Sequence, residues 1–269
     1  FASGPTLRVA SNMGIMTLIQ EQNSFPGITN KLLAKKVNRI CVAYEGMEKY
    51  FPKEKIVLTG NPIRKEMGEI QGKKEAALKL FNLSAEKPIA LVIGGSQGAL
   101  SINKSIHAQL DQFVENGIQL IWQTGKYYFN SAENAVKDFQ AMGIRAVAFI
   151  DRMDYAYSLA NVIISRAGAI AISEICAVGK PAVFVPLPSA AEDHQTKNAL
   201  ALVDKNAALM VKDQEANNIL VNSVIKLIQD KEKQIELSQN LVKLAKKDAD
   251  EKIADEILAL VNQKSIKDN

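Results

Sequence analysis

From Pro88 onward the chain repeats one rhythm, and that rhythm constrains the fold more than any other feature. Short runs rich in Ile, Val, Leu and Ala alternate with stretches of helical periodicity. The strand-like runs are Ile89–Ile93, Gln119–Gln123, Arg145–Phe149, Val162–Ser165, Ala182–Pro186 and Ala208–Val211. A helical stretch follows each one, at a spacing of roughly 20–30 residues. Helical crossovers join parallel strands, so six such units imply an α/β chain with a parallel sheet and helices on both faces. Near-continuous apolar strands fit burial on both sides.

The flanking segments read differently. Residues 16–20, 39–44 and 55–60 are strand-like, with a helix at Ile28–Val37 between the first two. Asn61-Pro62 breaks the pattern, because the residue before proline is pushed out of the helical region. Lys65–Leu83 is charged and helical and reads as a connector between domains. After Gln214 the pattern is only helical, with amphipathic segments at Lys231–Lys247 and Asp248–Val261. A length of 269 residues suits one large α/β domain or two ordinary ones.

Composition excludes several classes. With 47% hydrophobic and 23% charged residues the chain is neither disordered nor collagen-like. No apolar run reaches the ~18–20 residues of a membrane-spanning helix. Cys41 and Cys176, with His107 and His194, are too few for a disulfide framework or a four-ligand zinc site, and no metal site is expected. Both cysteines read as small core residues in a reducing compartment. The charge is uneven. Residues 1–68 carry ten Lys/Arg against five Glu, whereas the remainder carries 23 basic against 24 acidic residues. The basic first quarter suits an anionic membrane surface or a polyphosphate, or is simply a solvated face.

Three turns could carry chemistry, each following a strand-like run and opening a helix. Gly94-Gly95-Ser96-Gln97-Gly98-Ala99 lets the backbone approach a ligand, and the helix that follows offers free N–H groups and a positive dipole end to phosphate. Its spacing is neither G-x-G-x-x-G nor a P-loop, and a tight turn without a ligand remains open. Ser165-Arg166-Ala167-Gly168-Ala169 runs into Ile170–Ala177, which carries Glu174. A carboxylate there can accept from two ribose hydroxyls, or be an ordinary surface residue. Glu192-Asp193-His194-Gln195-Thr196-Lys197-Asn198 brings polar groups to a third such loop, where Asp193 could equally be a plain helix cap. One turn for phosphate, one for ribose and one for sugar hydroxyls together describe a nucleotide-sugar site.

These three motifs resemble the MurG family of undecaprenyl-diphospho-muramoylpentapeptide β-N-acetylglucosaminyltransferases. The match extends along the second motif through Glu174-Ile175-Cys176-Ala177-Val178-Gly179-Lys180-Pro181. It also takes in Glu21-Gln22-Asn23, Gly27-Ile28-Thr29-Asn30-Lys31, Gly60-Asn61-Pro62-Ile63-Arg64 and Phe149-Ile150-Asp151-Arg152-Met153.

The resemblance implies a GT-B fold of two Rossmann-like domains, the first incomplete. Residues 1–64 would be the remnant of an N-terminal acceptor and membrane domain. Residues 65–247 would bind UDP-GlcNAc, and residues 248–269 would form a helix packing back on the first domain. By position, Gly94, Gly95, Ser96, Gln97 and Gly98 would meet the diphosphate, Ile150 the uracil and Glu174 the ribose. Gly168, Ala169, Ile170, Ala171, Ile172 and Ser173 would line the nucleotide-sugar, with Arg64 at the domain junction. Gln195, Asn198 and Asn23 would hold the GlcNAc hydroxyls. The implied reaction is inverting transfer of GlcNAc to lipid I, giving lipid II for the peptidoglycan cell wall. No cofactor and no nucleic acid is implied. The expected location is peripheral, on the cytoplasmic side of a bacterial cytoplasmic membrane with an anionic surface.

This chain departs from the family pattern at three places. Ala171 stands where Thr or Ser is usual, and Gln20 where His often precedes Glu-Gln-Asn. The family's His-Gly-x-Gly-Gly-His loop is not found, so the chain reads as a fragment, inactive alone, whose general base is expected upstream of Phe1. Two alternatives stay open: another UDP-GlcNAc-using GT-B enzyme, such as a 2-epimerase, and a donor-binding half that needs a partner subunit.

Overall fold

The computed structural model describes residues 3–267, so the reading of Phe1 lies outside the described residues. The chain divides into two compact units. The smaller takes the residues up to Ile63 together with those from Lys246 onward, and the larger is Arg64–Ala245.

The smaller unit has a parallel sheet of β1 (Leu18–Glu21), β2 (Arg39–Val42) and β3 (Ile56–Leu58), in that order. Ile19, Leu33, Val37, Ile40, Met47 and Phe51 form its buried core. The long helix Ala249–Lys267 belongs to this unit, where Glu256 Oε2 accepts from Arg39 Nε at 3.1 Å. The helix expected at Ile28–Val37 ends earlier, spanning Ile28–Leu33.

The larger unit is built on six parallel strands: β4 (Ile89–Ile93), β5 (Gln119–Gln123), β6 (Ile144–Val147), β7 (Val162–Ser165), β8 (Ala182–Phe184) and β9 (Leu209–Met210). Their spatial order is β6-β5-β4-β7-β8-β9. The chain therefore winds outward from β4 in one direction, returns to β7 beside it, and winds outward in the other. Ile93 pairs with Gln123 on one side and Ser165 on the other, so the carboxyl ends of these three strands stand level. Every residue of β4, β5 and β7 is buried, which accounts for their near-continuous apolar runs, with polar Gln119, Gln123 and Ser165 confined to strand ends.

Two expectations change. The single helix expected after the first glycine turn is two, Leu100–His107 and Leu110–Glu115, separated where Gln109 leaves helical geometry. The Gln109 amide donates to the Asn217 carbonyl at 3.0 Å, a distant contact with no local signal. Lys65–Leu83 is not a connector. It forms Lys65–Gly68 and Lys74–Phe81, broken by a turn at Gly72, and is part of the larger unit. Lys73 Nζ reaches Asp154 Oδ2 at 3.0 Å there.

Cys41 and Cys176 are buried and unbridged. Burial pushes the Cys176 thiol up to about 12, and burial with the nearby Glu256 charge pushes Cys41 up to about 11. Neither is a thiolate near neutral pH, consistent with core packing.

Candidate functional site

The reversal of strand order between β4 and β7 is where an open α/β sheet leaves a crevice at its carboxyl edge. Both glycine turns sit there, one after each of these two neighbouring strands.

The turn after β4 presents backbone. Gly95, Ser96 and Gln97 are exposed, while Ala99 behind them is buried. The Gly98 N–H closes the turn on the Gly95 carbonyl at 3.2 Å. Gly98 has φ +85°, and a Cβ there would lie 2.2 Å from the Thr124 carbonyl oxygen, so only glycine fits. Gly95 is also in the left-handed region, at φ +73°, but its Cβ would meet no protein atom within 4 Å. Gly98 thus packs the turn against the end of β5, and Gly95 leaves the outer side open.

A buried amide holds this packing. Asn103 donates from Nδ2 to the Thr124 carbonyl at 2.8 Å and accepts from Trp122 Nε1 at 3.0 Å. The helix that starts behind the turn is thereby tied to the strand beside it. Neither Asn103 nor Trp122 stands out in the sequence, because both lie inside segments that read as ordinary helix and strand.

The turn after β7 presents side chains as well. Gly168 caps the helix Ala169–Val178 in extended geometry, leaving the first-turn N–H groups without helical acceptors. Ile172 is buried and faces the core, so only its backbone lies at the turn. The Ser173 hydroxyl donates back to the Ala169 carbonyl at 3.0 Å. Glu174 is 9% exposed, and its two oxygens have different neighbours. Oε1 faces Arg64 at 3.4 Å, and Oε2 accepts from the Tyr157 hydroxyl at 3.2 Å. Burial and then the Glu174 charge raise the Tyr157 phenol well above its ordinary value, so it remains a donor.

Arg166, quoted only as part of a motif, organises the loops beneath. It pairs with Asp213, donates to the Val185 carbonyl at 3.0 Å and reaches the Ser101 hydroxyl at 3.0 Å. Three loop-bearing segments are drawn together by one guanidinium, whose planar fork suits that task.

The remaining expected residues divide. Gln195 Oε1 accepts from the backbone N–H groups of Ala167 and Leu187 at 3.2 and 3.0 Å. The carbonyl end of this amide therefore joins two loops, and its Nε2 end is the part left to meet a ligand. Asn198 is fully buried and donates to the Ala167 carbonyl at 3.4 Å, which makes it a support of the loop. The Ile150 side chain is buried, whereas the adjacent Phe149 ring is exposed at the same strand end. Asp193 is in the left-handed region at the helix start and makes no side-chain cap hydrogen bond, so the plain-cap reading fails.

Asn23 belongs to the smaller unit. Its N–H and its Nδ2 both donate to Glu21 Oε1, at 3.0 and 3.2 Å. Glu21 Oε2 accepts from Gly27 N and Asn30 Nδ2 at 3.0 and 2.8 Å. Glu21 is a buried carboxylate with four donors, and it shapes the loop that carries Asn23.

Residues 89–253 match the model of the glycosyltransferase family 28 C-terminal domain. The chain belongs to glycosyltransferase family 28. Among curated relatives, a "UDP-N-acetylglucosamine--N-acetylmuramyl-(pentapeptide) pyrophosphoryl-undecaprenol N-acetylglucosamine transferase" of Parabacteroides distasonis is 53% identical over 264 residues, 98% of this chain and 72% of the relative. The protein of the same name from Bacteroides thetaiotaomicron is 51% identical over 97% of this chain and 70% of its own length. A crystal structure of Acinetobacter baumannii MurG matches with a TM-score of 0.80 and 29% identity, covering 96% of this chain and 71% of that one. The family 28 assignment and this structural likeness place the α/β fold in the GT-B class.

Proposed function

We propose that the protein transfers GlcNAc from UDP-GlcNAc to lipid I, giving lipid II of peptidoglycan synthesis. The observation that carries the donor half of this reading is the meeting of two glycine turns at the β4/β7 reversal, with Glu174 beside them. The acceptor half rests on the relatives, whose name states that acceptor and that sugar.

In this reading the Gly94–Gly98 backbone binds the diphosphate, and the N–H groups at Gly168–Ala171 line the nucleotide-sugar. Glu174 accepts from the ribose hydroxyls, and the strand end at Phe149 and Ile150 meets the base. Arg64 is close enough to Glu174 to share that ribose edge. Gln195 holds a GlcNAc hydroxyl through Nε2. The acceptor's C4 hydroxyl attacks the anomeric carbon from the face opposite the diphosphate. A C–O bond to the acceptor forms, the bond to UDP breaks, the acceptor proton passes to a base, and the anomeric configuration inverts. Negative charge that grows on the departing diphosphate is met by oriented N–H groups and helix dipoles. Ala171 brings no hydroxyl to this edge, so backbone carries the polar contact at that position.

The larger unit is the donor-binding part in this reading, and the smaller unit serves the acceptor and the membrane. Among the described residues no helix is long and apolar enough to cross a membrane. The smaller unit exposes Met13 at 70% and Leu32 at 74%. Together with the basic excess of residues 1–68, this supports peripheral contact with the anionic cytoplasmic face.

The test is calorimetric titration with UDP-GlcNAc and with UDP, followed by co-sedimentation with vesicles. Saturable binding of both nucleotides, and retention on anionic but not neutral vesicles, is expected. Failure of millimolar UDP-GlcNAc to bind would overturn the donor assignment, and equal recovery with both vesicle types would overturn the membrane assignment.

A further inference from the structure

Glu174 is usable as a ribose acceptor only if its carboxylate keeps one orientation. The terminal torsion of a glutamate is broad and nearly two-fold, so the chain itself sets that orientation weakly. The neighbours of the two oxygens are unlike. Arg64 is 55% exposed on its side chain and reaches Oε1 at 3.4 Å, a long contact open to solvent. Tyr157 is fully buried and reaches Oε2 at 3.2 Å from the helix Met153–Leu159.

The Tyr157 helix is itself held in place. Asp154, one turn before Tyr157, pairs with Lys73 at 3.0 Å and with Arg152 at 2.9 Å. Tyr157 thus approaches Glu174 from the core on an anchored element, and Arg64 approaches from the solvent side.

We propose that Tyr157 is a positioning residue for the donor nucleotide: its buried hydroxyl holds the Glu174 carboxylate in the orientation that accepts the ribose hydroxyls. It does not touch the nucleotide. One lone pair of Oε2 is committed to Tyr157, Oε1 has Arg64 beside it at 3.4 Å, and the lone pairs left over are those that accept from the ribose. Arg64 then neutralises the same group without orienting it. This inference rests on the ribose reading of Glu174 and adds the residue that makes it selective.

The experiment measures the preference for UDP over 2′,3′-dideoxy-UDP by calorimetry, in the full chain, alongside thermal melting. The parent is expected to prefer UDP by ten-fold or more. Tyr157→Phe removes only the hydroxyl oxygen and is expected to cut that preference by three- to ten-fold, while dideoxy-UDP affinity stays within two-fold. A 4-fluorophenylalanine at position 157 fills the hydroxyl's volume without donating, and is expected to give the same loss if the Phe protein folds poorly. Glu174→Gln separates the two levels of the reading. If it abolishes the preference while both Tyr157 variants retain it, the positioning role is overturned and the ribose role stands. If Glu174→Gln also leaves the preference intact, the ribose reading fails. An equal loss of UDP and dideoxy-UDP affinity in both Tyr157 variants would assign Tyr157 to packing alone and overturn the proposal.

Discussion

The two turns at the β4/β7 reversal are built by opposite means. The turn after β4 exposes backbone at Gly95–Gln97 and is held from behind by close packing of Gly98 on Thr124, with Asn103 fastening the strand. The turn after β7 depends on a side chain, Glu174, which accepts from the buried Tyr157 hydroxyl and has the Arg64 guanidinium beside it. Backbone N–H groups suit the diphosphate, which every nucleoside-diphosphate sugar shares, because they cannot swing away. A carboxylate suits the ribose, whose two hydroxyls demand a directed acceptor. Disturbance of the first turn should therefore cost the fold most, whereas disturbance of the second should fall mainly on binding.

The largest effect is expected at Gly98. Gly98→Val places a branched side chain against the Thr124 carbonyl at a positive φ. A cost of about 2–5 kcal/mol is expected from overpacking and left-handed strain combined. Chemical denaturation should show it, and calorimetry should show UDP binding lost. Gly95→Ala, where the Cβ meets no protein atom, should cost about 1–2 kcal/mol in stability from left-handed strain alone yet still weaken UDP. If Gly98→Val proved as mild in stability as Gly95→Ala, the distinction between packed and open sides of this turn would break.

Asn103→Leu comes next. It strands the Trp122 N–H and the Thr124 carbonyl in a buried place. A loss of about 2–4 kcal/mol is expected, since each unsatisfied buried group costs about 1–3 kcal/mol. Urea denaturation followed by Trp122 fluorescence measures it, and the emission should also shift.

Glu174→Ala leaves the buried Tyr157 hydroxyl without its acceptor, at a cost of about 1–3 kcal/mol in stability, and should weaken UDP by roughly ten- to a hundred-fold, the loss of charge-assisted hydrogen bonds worth about 1.5–3 kcal/mol. An unchanged dissociation constant would remove the ribose role and with it the contrast between the two turns.

The smallest effect concerns acid. The Arg152 hydrogen bond, with Lys73, holds the Asp154 carboxyl well below its usual range. Its folded value lies under its unfolded one, so its stabilisation is present above the unfolded value near 4 and is lost as pH falls. Asp154→Asn should cost about 1 kcal/mol at pH 7, discounted because Arg152 is half-exposed. The difference from the parent should narrow below pH 4 in melting curves. A constant difference down to pH 2 would show that the charge is not what anchors the Tyr157 helix.

The sequence displays the strands of the larger unit well where both faces are buried. β4 is apolar from end to end, and β5 and β7 are apolar but for Gln119, Gln123 and Ser165 at their ends, so their limits are readable. β9 is shorter than its apolar run, with only Leu209 and Met210 paired to β8 at the sheet's edge. The glycine turns are legible because glycine marks backbone that must turn or pack closely. Their supports are not. Tyr157 and Glu174 are 17 residues apart, Asn103 and Thr124 are 21 apart, and Arg166 and Asp213 are 47 apart. Each lies in a segment whose local pattern has its own sufficient explanation, so only the fold brings the pairs together. The same reasoning explains Asn198 and Ile150, which lie in matching motifs but point their side chains inward.

A crystal structure of the chain with UDP tests the central claim most directly. The account predicts diphosphate oxygens within hydrogen-bond distance of the N–H groups at Gly95–Gly98, and ribose hydroxyls donating to Glu174 while Tyr157 keeps its bond to Oε2. UDP bound away from the β4/β7 reversal, or a diphosphate there with no ribose contact to Glu174, would contradict it.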